Sequence, residues 1–117
     1  ALGGELHVSH GAGNGLLLPF VMRFNLPERR ATFARIAALL GEPTTGLDEA
    51  TAAGLAISAV ENLKRAISIP ERIRDIGGRE DQLVRFAAKS FAIKRLMMVN
   101  PRQPTEADLL GILREAF

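Results

Sequence analysis

The chain has 117 residues, 47% hydrophobic and 24% charged, with a formal net charge of +2 and no cysteine. A chain of this size buries one genuine core but is small for an enzyme that carries its own cofactor domain, and its composition is that of a folded soluble protein rather than a disordered one. The missing cysteines exclude a disulfide framework and a thiolate metal site and fit a reducing, cytoplasmic setting. The longest apolar run, Leu16 to Met22, is too short to cross a membrane, is interrupted by Pro19, and follows no basic leader.

In chain order, residues 1–15 contain His7-Val8-Ser9-His10-Gly11 and lead into a Gly-punctuated apolar helix running through Asn25. Segment 1–15 has little of its own to fold around, so it is expected to pack against a part of the protein outside this chain. Pro27 then opens a helix from Glu28, with Phe33, Ile36, Ala37 and Leu40 at helical spacing and Gly41 placed to end it in a left-handed conformation. Asp48 can cap a longer helix whose stripe of Ala52, Leu55, Ala56, Ala59, Leu63, Ala66 and Ile67 stops before Pro70. The small residues on that stripe predict close approach of a neighbouring helix.

Glu71 to Ile76 reads as one short helical turn closed by Gly77-Gly78. Glu80 to about Ala92 follows with Leu83, Phe86, Ala87, Ser90 and Phe91 on one face. Thr105-Glu106-Ala107-Asp108 is a capping box opening a last helix with Leu109, Ile112, Leu113 and Ala116 inward. No stretch alternates as a half-buried strand does. The pattern predicts one all-α domain over residues 1–117, a bundle of about five helices.

The chemistry concentrates at the two histidines. A divalent metal that does chemistry takes three or four protein ligands and keeps a position open, and this chain has two histidines and no cysteine. His10 is therefore at most part of a site, or else a surface residue at a helix start. His7 stands three residues earlier and could reach the same ion if the intervening turn were helical. Gly11 to Gly15 lacks the third glycine and the preceding strand of a dinucleotide loop. No acid is placed to make Ser9 and its neighbouring histidines a hydrolytic triad. Residues 64–95 hold nine Lys/Arg against four Asp/Glu, and Arg85, Lys89, Lys94 and Arg95 are expected along one helix side. With no Trp or Tyr to stack on bases, that side reads as a solvated face and not a nucleic-acid surface.

Leu2-Gly3-Gly4, His7-Val8-Ser9-His10-Gly11, Asn14, the Leu-Leu-Pro that follows and the later Asn100-Pro101-Arg102 together resemble the C-terminal part of the iron-containing (group III) alcohol dehydrogenases, over nearly the whole chain. The resemblance implies an all-helical domain of the dehydroquinate synthase-like architecture, packed below an N-terminal dinucleotide-binding domain with the metal in the cleft between them. It implies a metal, iron or zinc, held by an aspartate and three histidines, with the last ligand mapping onto His10. It implies NAD or NADP bound mainly by the upstream domain, a small alcohol or aldehyde as substrate, and a homo-oligomer. His7 maps to a position outside the ligand set and is expected to line the cleft, and Leu96 falls at a pocket-lining position. No catalytic or cofactor-contacting residue is assigned within the chain itself.

On this resemblance the chain is a fragment cut inside its active-site segment, inactive alone, with a further histidine directly upstream of Ala1. It departs from the family at Ser9, where proline is usual, and at Glu5-Leu6, where aromatics are common, which leaves the substrate open. Asn100-Pro101-Arg102 follows a helix whose end, on the resemblance, points towards the substrate cleft; read plainly, it is a loop before the last helix in which Arg102 pairs with an acid such as Glu106.

A rival reading is a free-standing helical interaction module with an incidental His-x-x-His and a basic face for an acidic partner. The two differ in surface: a severed domain is expected to leave Leu2, Leu6 and Leu16 to Phe20 bare, whereas a free-standing module covers its apolar faces.

Overall fold

A computed structural model describes residues 1–117. It contains seven α-helices: α1 (Leu2–Leu6), α2 (His10–Asn25), α3 (Arg30–Leu39), α4 (Glu49–Ala66), α5 (Leu83–Phe91), α6 (Lys94–Val99) and α7 (Glu106–Glu115). Short 3-10 turns lie at Leu26–Glu28, Ile73–Ile76 and Glu80–Gln82, and there is no strand. The all-α architecture is as expected, but the helices number seven rather than about five. The additional two, α1 and α6, are five and six residues long, each less than two turns, and so too short to register a period.

Helix α2 is the spine of the molecule. Ser9 caps it, its Oγ accepting a hydrogen bond from the Ala12 amide at 3.2 Å, and the helix runs on through Pro19 to Asn25 although proline supplies no N–H. Its Leu16 and Phe20 enter the larger core with Ile73, Leu83, Phe86, Ala87, Ile112, Leu113 and Ala116. Its Met22 enters a second, smaller core with Ala37, Ala56 and Ile57. The two cores lie along a molecule measuring 44 × 30 × 20 Å, joined by this one helix.

Helix α3 packs along α4, and Ala37, Ala53 and Ala56 are fully buried there. The small-residue stripe thus does bring a neighbouring helix close. The stripe fails at its C-terminal end, because Leu63 and Ile67 are exposed while Lys64 is buried at 4% exposure. Lys64 turns inward to α2, where its Nζ donates to the Leu16 carbonyl at 3.0 Å and to the Glu71 carbonyl at 3.2 Å. A buried ammonium persists only with such partners, and desolvation holds its pKa below the ordinary lysine value. Leu40, expected inward, is also exposed, since α3 has already ended at Leu39.

Segment 1–15 does not wait for an outside partner. Leu2 is buried in the larger core, with Leu6 and Val8 packed against it, so the expected bare surface at Leu2 and Leu16 to Phe20 is largely covered; Leu18 alone among the large side chains of 16–20 is exposed. The exposed large apolar side chains lie elsewhere, chiefly Leu39, Met98 and Val99.

One turn depends on two glycines. Gly77 ends the turn after Arg72 with φ 85°, and a Cβ on Gly78 would lie 2.8 Å from the Ile73 carbonyl oxygen and collide with the Ile73 side chain. The box at α7 forms as expected: Thr105 Oγ1 accepts from the Asp108 amide at 3.1 Å, and the Asp108 carboxylate accepts from the Thr105 amide at 2.9 Å. Those bonds hold the Asp108 carboxyl below the usual carboxylate range. No helix is long and apolar enough to cross a membrane.

Candidate metal site

The start of α2 opens onto a cleft of about 470 Å³. Leu2 and Gly3 of α1, Ser9, His10, Gly13 and Asn14 at the start of α2, and Phe86 and Ser90 of α5 with Ile93, Leu96 and Met97 line it. The His10 imidazole is exposed to this cleft, with its Nε2 3.0 Å from Asn14 Nδ2, one helical turn on. The glycines around it serve packing. Gly13 is buried with the Val8 side chain 3.6 Å from where its Cβ would be, and at Gly15 the Ile69 side chain approaches to 3.3 Å.

The two histidines do not share a helical turn. His7 ends α1 at φ 54° and His10 begins α2, with the extended Ser9 between them. His7 is not among the residues lining the cleft. Leu96, half exposed, lines both this cleft and a smaller apolar cavity of about 140 Å³ behind α6.

Position in the cleft wall depends on a residue that the sequence reading passed over. Asn25, at the end of α2 and 8% exposed, exchanges two hydrogen bonds with Asn100 just beyond α6: Asn25 Nδ2 donates to Asn100 Oδ1 at 3.0 Å and Asn100 Nδ2 donates to Asn25 Oδ1 at 2.7 Å. Its only sequence signal was a polar side chain ending an apolar run. This amide pair ties the α6 wall to the spine. Asn25→Ala is expected to cost about 1–3 kcal/mol, because it removes both hydrogen bonds that tie Asn100 to α2, and thermal unfolding against an Asn25→Asp control measures it.

Arg102 does not pair with Glu106. Its Nη1 donates to the Phe24 carbonyl at 3.1 Å, and its guanidinium lies 4.2 Å from the Phe24 ring centre, a cation–π arrangement that anchors the same loop. The expected continuous basic side is divided in two, since the chain breaks between α5 and α6. Arg85 and Lys89 on α5 both hold the Glu5 carboxylate of α1, while Lys94 covers the Phe91 ring at 3.2 Å.

As a metal site the cleft is partial. No group of three His, Cys, Asp or Glu side chains converges anywhere in the chain, so a metal is compatible with His10 only as one donor of a set completed by residues outside residues 1–117. The exposed imidazole on an open cleft fits that single role; a complete internal site does not exist.

The fold supplies the class. A crystal structure of 1,3-propanediol oxidoreductase matches with a TM-score of 0.94 at 39% identity, covering 99% of this chain and 30% of that one. An alcohol dehydrogenase from Oenococcus oeni matches at 0.93 and 34% identity, with the same coverage. This is the helical domain of an alcohol dehydrogenase architecture. The model of the Fe-containing alcohol dehydrogenase family, C-terminal region, matches residues 1–117, and the chain belongs to that family. Among curated relatives it is 39% identical to 1,3-propanediol dehydrogenase of Klebsiella pneumoniae and 35% identical to the NAD-dependent methanol dehydrogenase of Bacillus methanolicus. The chain spans 30% of the length of each while 99% of it is matched. Family membership holds over the whole chain, while the largely covered face at Leu2 and Leu16 to Phe20 is the surface expected of the interaction module.

Proposed function

We propose that this chain is the metal-contributing helical part of an NAD(P)-dependent alcohol dehydrogenase that interconverts a small alcohol and its aldehyde or ketone by hydride transfer. The observation that carries the reading is His10, the one imidazole on the open cleft of a chain matched end to end by this family. His10 would provide one ligand of four, and an upstream aspartate and two histidines the others. The metal, iron or zinc, would supply Lewis-acid chemistry toward the alcohol oxygen.

The chain's own residues do the rest of the work on this side of the cleft. Asn14 bears on the orientation of the His10 ring through the contact at Nε2. Leu17, Val21, Leu96 and Met97 give an apolar wall that excludes water and limits the substrate's carbon chain. Ser9 ends the strained turn at His7 and starts the helix that carries His10, so His7 is assigned to the turn rather than to the pocket. The nicotinamide cofactor, NAD or NADP, would bind mainly to a nucleotide-binding domain upstream, across the cleft. The apolar side chains left exposed here, together with the resemblance, support a homo-oligomer, and the cysteine-free sequence supports a cytoplasmic setting.

The test is an assay of the protein together with its upstream domain, loaded with Fe²⁺ or Zn²⁺, using NAD⁺ and NADP⁺ with primary alcohols and diols of increasing length. Metal-dependent reduction of either cofactor is the expected result. Failure of every metal, cofactor and alcohol combination in a folded protein overturns the reading.

A further inference from the structure

We propose that Glu5, gripped by Arg85 and Lys89, is a positioning residue for His10, fastening the α1 wall of the cleft to α5 and thereby fixing how the chain enters α2. This inference rests on the reading of His10 as a metal donor.

Helix α1 has five residues, far below the length at which a helix is stable by itself, so tertiary contacts must hold it. On its apolar side Leu2 enters the core. On its polar side Glu5 Oε1 accepts from Arg85 Nε at 3.1 Å and from Lys89 Nζ at 2.5 Å, and Arg85 Nη2 bonds the other carboxylate oxygen. Arg85 and Lys89 are four apart on α5, one turn of a helix whose Leu83, Phe86 and Ala87 are at most 1% exposed. The carboxylate is therefore held on a rigid element by two cations that face it together. The Glu5 side chain is 20% exposed and those of Arg85 and Lys89 are each 55% exposed, so salt weakens the grip from the cations' side.

The need for such a fastening lies two residues later. His7 sits at φ 54°, a left-handed conformation that a side chain other than glycine adopts at a cost and keeps only when its surroundings impose it. The turn is pinned downstream by the Ser9 cap and upstream by Glu5. Leu2 and Gly3, which precede the grip, and Phe86 and Ser90, which flank Arg85 and Lys89 on α5, all line the cleft into which His10 faces. A loosened α1 would widen that cleft and free the turn that sets His10.

The experiment uses the metal-loaded protein with its upstream domain and compares Glu5→Gln, the double variant Arg85→Met with Lys89→Met, and the three changes together. Metal affinity is read by chelator competition and local order by amide hydrogen exchange. Glu5→Gln is expected to weaken the metal about tenfold, at the lower end of what outer-shell partners command, and to speed exchange in residues 1–9 while α5 and α7 keep their protection. The double variant is expected to do the same, and the triple to add nothing, because all three changes break one interaction.

Unchanged affinity in Glu5→Gln while His10→Ala loses the metal overturns the positioning role and leaves the proposed function standing. Unchanged affinity in His10→Ala overturns the proposed function itself and this inference with it. Faster exchange spread equally through α7 also overturns the proposal, since the grip would then serve the whole bundle. Arg85→Lys keeps the charge and the fold while removing the two-pronged contact, and it is expected to give an intermediate loss if Glu5→Gln does not fold.

Discussion

His10→Ala is expected to lower metal content and metal-dependent activity together by about 100-fold or more, beyond the loss that removing an outer-shell partner causes, with little change in thermal stability. His10 is the first residue of α2, its ring is exposed to the cleft, and its one side-chain partner is Asn14 on the same helix, so the bundle gives up almost no packing when the ring is removed. Metal analysis of the purified variant beside its unfolding curve separates the two quantities. His7→Gly is the matched control: it removes an imidazole three residues away and also relieves a left-handed backbone at φ 54°. It is expected to keep metal and activity and to gain slightly in stability, by about 1 kcal/mol or less. Equal losses in both variants would mean that segment 1–10, and not one imidazole, holds the metal.

Phe86→Ala is expected to cost about 3–5 kcal/mol, a large share of the 5–15 kcal/mol that a domain has in total. Phe86 is 0% exposed, and its ring fills the larger core between α2, α5 and α7. The result should appear as a lower denaturation midpoint with an unchanged slope, and as lost activity because the same residue lines the cleft. Val84→Ala, two residues away on the exposed side of α5, should stay within about 0.5 kcal/mol of the parent.

Acid adds a smaller, signed effect. The Arg85 guanidinium and the Lys89 ammonium hold the Glu5 carboxyl down at about 2, against an ordinary value of 4.5. A depressed carboxyl pKa contributes stability that is complete above the unfolded value and is lost as pH falls toward the folded one. The grip on α1 is therefore intact at neutral pH and weakens only between about pH 4.5 and 2.

Much of the architecture was legible because it follows from local rules. The faces of α5 and α7, the box at Thr105, the Gly77-Gly78 stop and the small-residue contact between α3 and α4 each depend on spacing within a single segment, and period 3.6 or a capping pattern is enough to read them. The errors share one cause. Leu63 and Ile67 satisfied the helical period on α4, yet Lys64 takes the inward place, where its ammonium donates to the Leu16 and Glu71 carbonyls of the neighbouring surface. The expected basic side over 85–95 ignored a helix break and an acid eighty positions upstream. The Asn25–Asn100 pair spans 75 positions, and neither residue announces its partner.

By itself the sequence determined that the chain is helical, which five segments carry its longer helices, and that two histidines without cysteine make at most part of a metal site. Those conclusions need only backbone preferences, the side-chain period and a count of ligands. Tertiary structure decided that His7, expected to line the cleft, stays out of its lining: His7 ends α1 in a left-handed turn while His10 begins α2 and lines the cleft. It also decided that segment 1–15 packs on this bundle. That result follows from burial of Leu2 and a carboxylate held by two cations on a distant helix, interactions whose partners are brought together only when the chain has folded.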